Sequence, residues 1–158
     1  MKKDLNTLLH ETLTGRTALV GIGNVDLGDD GFGVRLAEAL ADAGLLEVLI
    51  AHTVPENHIA TLAYGGYDHV VFLDAVNAGT EPGWVFFLDA GEIRSHFPQV
   101  STHKLTLGTL ARLIEAESST RVWLLGIQPA TLKQGTGLSD PVARTLNLLK
   151  TLLLDTFS

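Results

Sequence analysis

Apolar positions follow two periods that take turns along the chain. Leu5, Leu8, Leu9 and Leu13 form an i, i+3, i+4, i+8 stripe, which predicts an amphipathic helix over residues 4–14 that ends near Gly15. Thr17 to Gly21 is a short unbroken run of the kind a buried strand shows. Val34, Ala37, Leu40 and Ala41 return to the helical period, and Gly44 closes it. Leu46 to His52 predicts a second strand. Thr53 and Glu56 have capping-box spacing around Pro55, so a helix is expected from there to about Tyr64. Further strands are expected from His69 to Leu73, from Trp84 to Leu88 and from Arg121 to Ile127. One helix is expected behind Ser101 or Thr102, carrying Leu107, Leu110, Ala111 and Ile114. A last helix is expected behind Ser139, with the stripe Val142, Leu146, Leu149 and Leu153.

Strands alternating with helices predict the α/β class, here three layers, α/β/α, around a mixed, mostly parallel five-stranded sheet. The Trp84 strand follows its predecessor through the turn Glu81-Pro82-Gly83 with no helix between, so it is expected to run antiparallel. The helix within residues 1–16 is expected to pack on a single domain spanning 17–158. A length of 158 residues suits one domain.

Composition narrows the function. Hydrophobic residues make up 46% and charged residues 18%, enough apolar material for a packed core. Eleven basic against eighteen acidic residues leave a net charge of −7, which argues against gripping nucleic acid or an anionic membrane by bulk charge. The chain has no cysteine. That excludes disulfides, thiolate zinc sites, iron–sulfur clusters and a cysteine nucleophile, and it fits a reducing compartment. No run approaches the ~20 apolar residues of a membrane helix. Lys2 and Lys3 resemble the start of a secretory signal, but Asp4, Asn6, His10 and Glu11 interrupt its apolar core. An intracellular protein is expected.

Ligands of a parallel sheet bind at the carboxyl ends of its strands. Three polar candidates stand there: Asp29-Asp30 after the first strand, Asp74 at the end of the third, and His103 ahead of a helix. Two carboxylates and an imidazole could hold a divalent ion such as nickel, zinc or iron with positions left open, or orient a water for attack on a carbonyl. Each also has a purely architectural role open to it. Asp30 could cap the following helix, Asp74 could close a turn, and His103 could lie on the surface of a first turn. The remaining histidines suggest no role, and the run Glu115 to Glu117 reads as a solvated face. Other motifs fail. Gly21-Ile-Gly23 starts a dinucleotide fingerprint, but Asp26 stands at its third glycine. An EF-hand starting at Asp26 would need a carboxylate where Ala37 stands. There is no phosphate-loop lysine and no Gly-x-Ser-x-Gly elbow.

The segment Gly21-Ile-Gly-Asn-Val-Asp-Leu-Gly-Asp-Asp-Gly-Phe-Gly33 resembles the N-terminal signature of the nickel–iron hydrogenase maturation endopeptidases. Val71-Phe-Leu-Asp74-Ala with Pro82-Gly83 resembles their second block, and Ser101-Thr-His103 their third. Pro55-Glu-Asn-His-Ile59 and Leu125-Gly-Ile-Gln-Pro129 are similar to the branch that processes formate-hydrogenlyase-type large subunits. The blocks occur in order over about residues 17–150. The resemblance implies a cytoplasmic protease that removes a short C-terminal extension from a hydrogenase large-subunit precursor after nickel insertion. It implies that the nickel belongs to the precursor, is bound only weakly by the free protein, and is contacted by Asp30, Asp74 and His103. Gly21, Gly23, Gly31, Gly33 and Asn24 are expected to shape the site without acting on the substrate. A monomer is expected. The competing expectation is a non-proteolytic module that binds metal or nucleotide, such as a nickel sensor or a large-subunit chaperone.

Overall fold

The computed structural model describes residues 3–97 and 106–158. Its elements are helix α1 (Leu5–Thr12), strand β1 (Thr17–Ile22), helix α2 (Phe32–Asp42), strand β2 (Val48–His52), helix α3 (Ile59–Tyr64), strand β3 (His69–Ala75), strand β4 (Val85–Asp89), helix α4 (Ala90–His96), helix α5 (Leu107–Ala116), strand β5 (Arg121–Ile127) and helix α6 (Asp140–Thr156). The five strands form one sheet in the order β2-β1-β3-β5-β4. All neighbours are parallel except β4, which pairs antiparallel with β5. This is the mixed α/β/α sheet that the strand and helix periods predict.

Strand alternation sorts the core into two layers. Ala18, Val20, Val70, Phe72, Val122 and Leu124 face one way, into a cluster with Leu62, Ile93, Leu110 and Ile114 of α3, α4 and α5. Leu19, Val71, Leu73, Leu125 and Ile127 face the other way, against Leu9 of α1, Leu36 and Leu40 of α2, and Leu146, Leu149 and Leu153 of α6. Both faces of β1, β3 and β5 are therefore covered, which is why these strands are nearly continuous apolar runs. A fully buried side chain such as Phe72 contributes about 1.5–3 kcal/mol over leaving it in water. Helix α1 lies in the second layer, burying Leu9 and Leu13.

Several local expectations change in detail. Thr53 and Glu56 do not form a capping box: the chain enters a 3-10 turn at Pro55–His58 with Val54 at its N-cap and no side-chain cap. A residue before proline is kept out of helical geometry, so the turn starts at Pro55 itself. The genuine capping box is Asp89 with Glu92, which opens α4, a helix without an apolar stripe long enough to predict it. Helix α5 is capped by Thr106, whose hydroxyl accepts from Thr109 N; Ser101 and Thr102 lie outside the described residues. Glu115 and Glu117 are not a merely solvated pair, since Glu115 accepts from Val122 N at 2.8 Å and Glu117 from the Tyr64 hydroxyl at 3.0 Å.

Candidate active site

The sheet order reverses between β1 and β3. From β1 the chain moves outward to β2, then returns to lay β3 on the other side of β1. Such a switch point leaves a crevice at the carboxyl ends of the two central strands. Gly21 of β1 pairs with Leu73 of β3, so the loop after β1 and Asp74 open onto the same edge.

The loop is built to bring helix α2 very close to that edge. A Cβ on Gly33 would lie 1.9 Å from the Leu73 carbonyl oxygen and 2.4 Å from that of Ile22. Only glycine lets the first turn of α2 sit against both strands at once. Gly23 has φ +136°, and a Cβ there would lie 1.9 Å from the Asp30 carbonyl oxygen. Asn24 accepts from Asp26 N at 2.9 Å, an Asx turn that sets the loop's direction. The glycines and Asn24 thus shape the loop, as their residue types suggest.

The two adjacent aspartates of this loop have opposite surroundings. Asp29 is fully buried and saturated. Its Oδ2 accepts from Ala130 N (2.8 Å), Thr131 N (3.2 Å) and the Ser139 hydroxyl (2.8 Å), while Oδ1 accepts from Ser139 N (2.7 Å). It is a clasp between the loop and the segment that follows β5. Asp30, buried to 6% exposure, receives a single bond among the described residues, from Asn24 N to Oδ2 at 2.9 Å. It does not cap α2, whose N-cap position is Gly31 with no side-chain cap. The architectural role open to Asp30 in the sequence is therefore not the one it plays.

Asp74 is 2% exposed and sits inside β3, opposite Gly126 of β5. Its Oδ1 accepts from Ala75 N at 2.9 Å. Burying a carboxylate is costly unless its oxygens are paired, and both Asp30 and Asp74 have partners at this edge. His103 lies outside the described residues. Among the described residues no three His, Asp or Glu side chains converge into a metal cage.

Two residues of the site's surroundings carry more than the spacing revealed. Asp29 read as one half of a pair, yet it is the clasp. Gln128, 5% exposed, organises the β3–β4 loop: its Oε1 accepts from Ala78 N at 2.8 Å and from Thr80 N at 3.3 Å, and its Nε2 donates to Asn77 Oδ1 at 3.1 Å. The signal for Gln128 was its place in the Leu125–Pro129 block.

Residues 33–156 match the hydrogenase maturation protease family (HycI). The chain belongs to this family. The Hydrogenase 3 maturation protease of Escherichia coli K12 is 34% identical over 113 residues, which are 70% of this chain and 71% of that protein. The Hydrogenase 2 maturation protease of the same organism is 29% identical over 135 residues, 80% and 81% of the two chains. Among solved structures, the [NiFe] hydrogenase maturation protease HycI from Thermococcus kodakarensis KOD1 superposes with a TM-score of 0.83 at 30% identity, covering 94% of this chain and 97% of that one. The hydrogenase maturating endopeptidase HybD of E. coli superposes with a TM-score of 0.76 at 26% identity, covering 89% and 91%. Members of the family are peptidases, so the crevice between β1 and β3 is the candidate active site of a hydrogenase maturation protease. No helix among the described residues is long and apolar enough to cross a membrane.

Proposed function

We propose that this protease removes the C-terminal extension of a nickel–iron hydrogenase large-subunit precursor after nickel insertion. It acts in the cytoplasm, as a monomer, through Asp30, Asp74 and His103. The observation that supports the reading is the contrast between the loop's two aspartates: among the described residues, Asp29 spends its carboxylate on four bonds to the fold, whereas Asp30 receives one backbone bond. The similarity to proteases named for hydrogenase maturation supplies the substrate class.

Hydrolysis adds water across the scissile peptide: the oxygen bonds to the carbonyl carbon, the C–N bond breaks, and the leaving nitrogen takes a proton. A buried carboxylate at the crevice is suited to accept the water's proton, and an imidazole to return one to the leaving nitrogen. Nickel carried by the precursor would polarise the scissile carbonyl as a Lewis acid. Two aspartates and one histidine, with no thiolate, suit weak and shared contact with such an ion. The rigid α2 entry turn fixes Asp30 while the substrate is presented.

The test is a mobility-shift processing assay. Nickel-loaded and nickel-free precursor are incubated with the wild-type protein and with Asp30→Asn, Asp74→Asn and His103→Ala. Cleavage confined to the nickel-loaded form, and lost in variants that melt cooperatively, is expected. Normal processing by both Asp74→Asn and His103→Ala would overturn the assignment.

A further inference from the structure

A second concavity opens past the same ends of β3 and β5. It is an open concavity of about 270 Å³, lined by Asn77, Gln128, Pro129, Ala130, Thr131 and Leu132. Both walls grow out of the site strands. Asn77 stands three residues past Asp74, and Gln128 follows β5, whose Gly126 is paired with Asp74.

The concavity is pre-formed. Gln128 makes its floor and uses every polar atom. Its Oε1 also accepts from the Thr80 hydroxyl at 3.3 Å, and its Nε2 also donates to the Pro129 carbonyl at 3.2 Å. Its backbone N–H donates to the Trp84 carbonyl, and its carbonyl accepts from Gly83 N, both at 2.8 Å. A saturated, buried amide of this kind holds its neighbours in one arrangement. The opposite wall is fixed by Asp29, through Ala130 N and Thr131 N. Pocket and site loop are therefore tied to one clasp and keep a constant relation to Asp30.

The lining contains no ionisable side chain, in a chain whose net charge is −7. A charged side chain seated there would meet no opposite charge in the lining. Leu132, 46% exposed at the rim, offers apolar contact. Three residues of chain from Asp74 to Asn77 span at most about 10 Å, and an extended peptide advances about 3.3 Å per residue. A peptide held at Asp74 thus reaches the pocket within about three residues.

We propose that this pocket is a specificity subsite of the protease: it takes an uncharged side chain of the precursor's C-terminal region, within about three residues of the bond cut. The proposal rests on the endopeptidase reading above. Gln128 and the Asp29 clasp shape the subsite, and Leu132 is its adjustable rim.

The absence of cysteine makes a direct test available. Leu132→Cys introduces the sole thiol, which is coupled to a short photo-crosslinker and irradiated with nickel-loaded precursor; Leu46→Cys, at a fully exposed position ahead of β2, is the control. Crosslinks from position 132 that map to tail residues next to the cut, and are absent from position 46, are expected. Crosslinks that map elsewhere, or equally from both positions, overturn the subsite. Kinetics give the second readout. An aspartate placed at the crosslinked tail residue should raise KM about tenfold with a smaller change in kcat, and Leu132→Lys should restore it. Lack of rescue overturns the subsite while leaving the protease reading intact. Crosslinking to a tail that wild-type protein never cuts would instead overturn the protease reading.

Discussion

Replacing Asp29 by asparagine changes one atom and should cost more stability than any surface substitution. The aspartate is acceptor-only, and four donors converge on it from residues 130, 131 and 139. An asparagine oxygen can replace Oδ2, which takes three of these bonds. Its amide group then faces the Ser139 N–H across the former 2.7 Å bond, donor against donor. A bond to a charged acceptor contributes about 1.5–3 kcal/mol, and a buried donor left unsatisfied costs about 1–3 kcal/mol. The bonds that survive also lose their charge assistance. Asp29→Asn is therefore expected to cost about 3 kcal/mol, and Asp29→Ala about 4–5 kcal/mol. For a chain of this length, 3 kcal/mol corresponds to a fall in Tm of roughly 6–12 °C. Urea unfolding gives the free energy, and amide hydrogen exchange at Ala130, Thr131 and Ser139 gives its location. Asp30→Asn supplies the contrast, since an asparagine oxygen can still accept from Asn24 N, the one bond Asp30 receives among the described residues. It should stay within about 1 kcal/mol of wild type and lose processing. A loss below 1 kcal/mol for Asp29→Asn, with the three amides still protected, would refute the clasp.

The glycines give a second contrast. Gly33→Ala forces a Cβ onto the Leu73 and Ile22 carbonyls and should cost at least about 3 kcal/mol in urea unfolding, with loss of the site. Gly44→Ala, where φ is +105° and no atom lies within 4 Å, should cost only about 1–2 kcal/mol from backbone strain. His69 titrates below the ordinary histidine value, chiefly because it is buried, with the Arg121 charge adding to the effect against Asp68. Its neutral Nδ1 accepts from Trp123 Nε1 at 3.1 Å. The folded state therefore prefers the neutral ring. This stability is present above about pH 6.5 and is lost as pH falls through the depressed value. Thermal melts between pH 7 and 5 should show this decline, and His69→Gln should flatten it.

The sheet was legible because β1, β3 and β5 are covered on both faces, so Ala18 to Ile22 and Val70 to Leu73 had to be apolar without a break. Helix α4 was not, since only Ala90 and Ile93 are buried in its seven residues and a single i, i+3 pair carries no period. Thr53 misled because capping-box spacing ignores what Pro55 does to Val54. The crevice was legible from Asp74 and the glycine loop, whose residue types state their backbone demands locally. The division of labour between Asp29 and Asp30 was not. It depends on Ser139, 110 residues away, and nothing in the spacing of two neighbouring aspartates says which will be tied there. Ser139 itself reads as a helix cap and does stand at that position, yet its hydroxyl goes to Asp29.

That long tie makes the loop after β1 depend on chain that lies beyond the last strand. All five strands are complete by Ile127, so a nascent or truncated chain ending there already contains the whole sheet. It lacks Ala130, Thr131 and Ser139, the groups that fasten Asp29. Such a chain would hold the five strands without α6, whose Leu146, Leu149 and Leu153 cover one face of them, and the Asp29 loop would be unfastened. The loop that carries Asp30 is thus fastened by chain that follows the sheet, and a truncation after Ile127 should leave that loop loose.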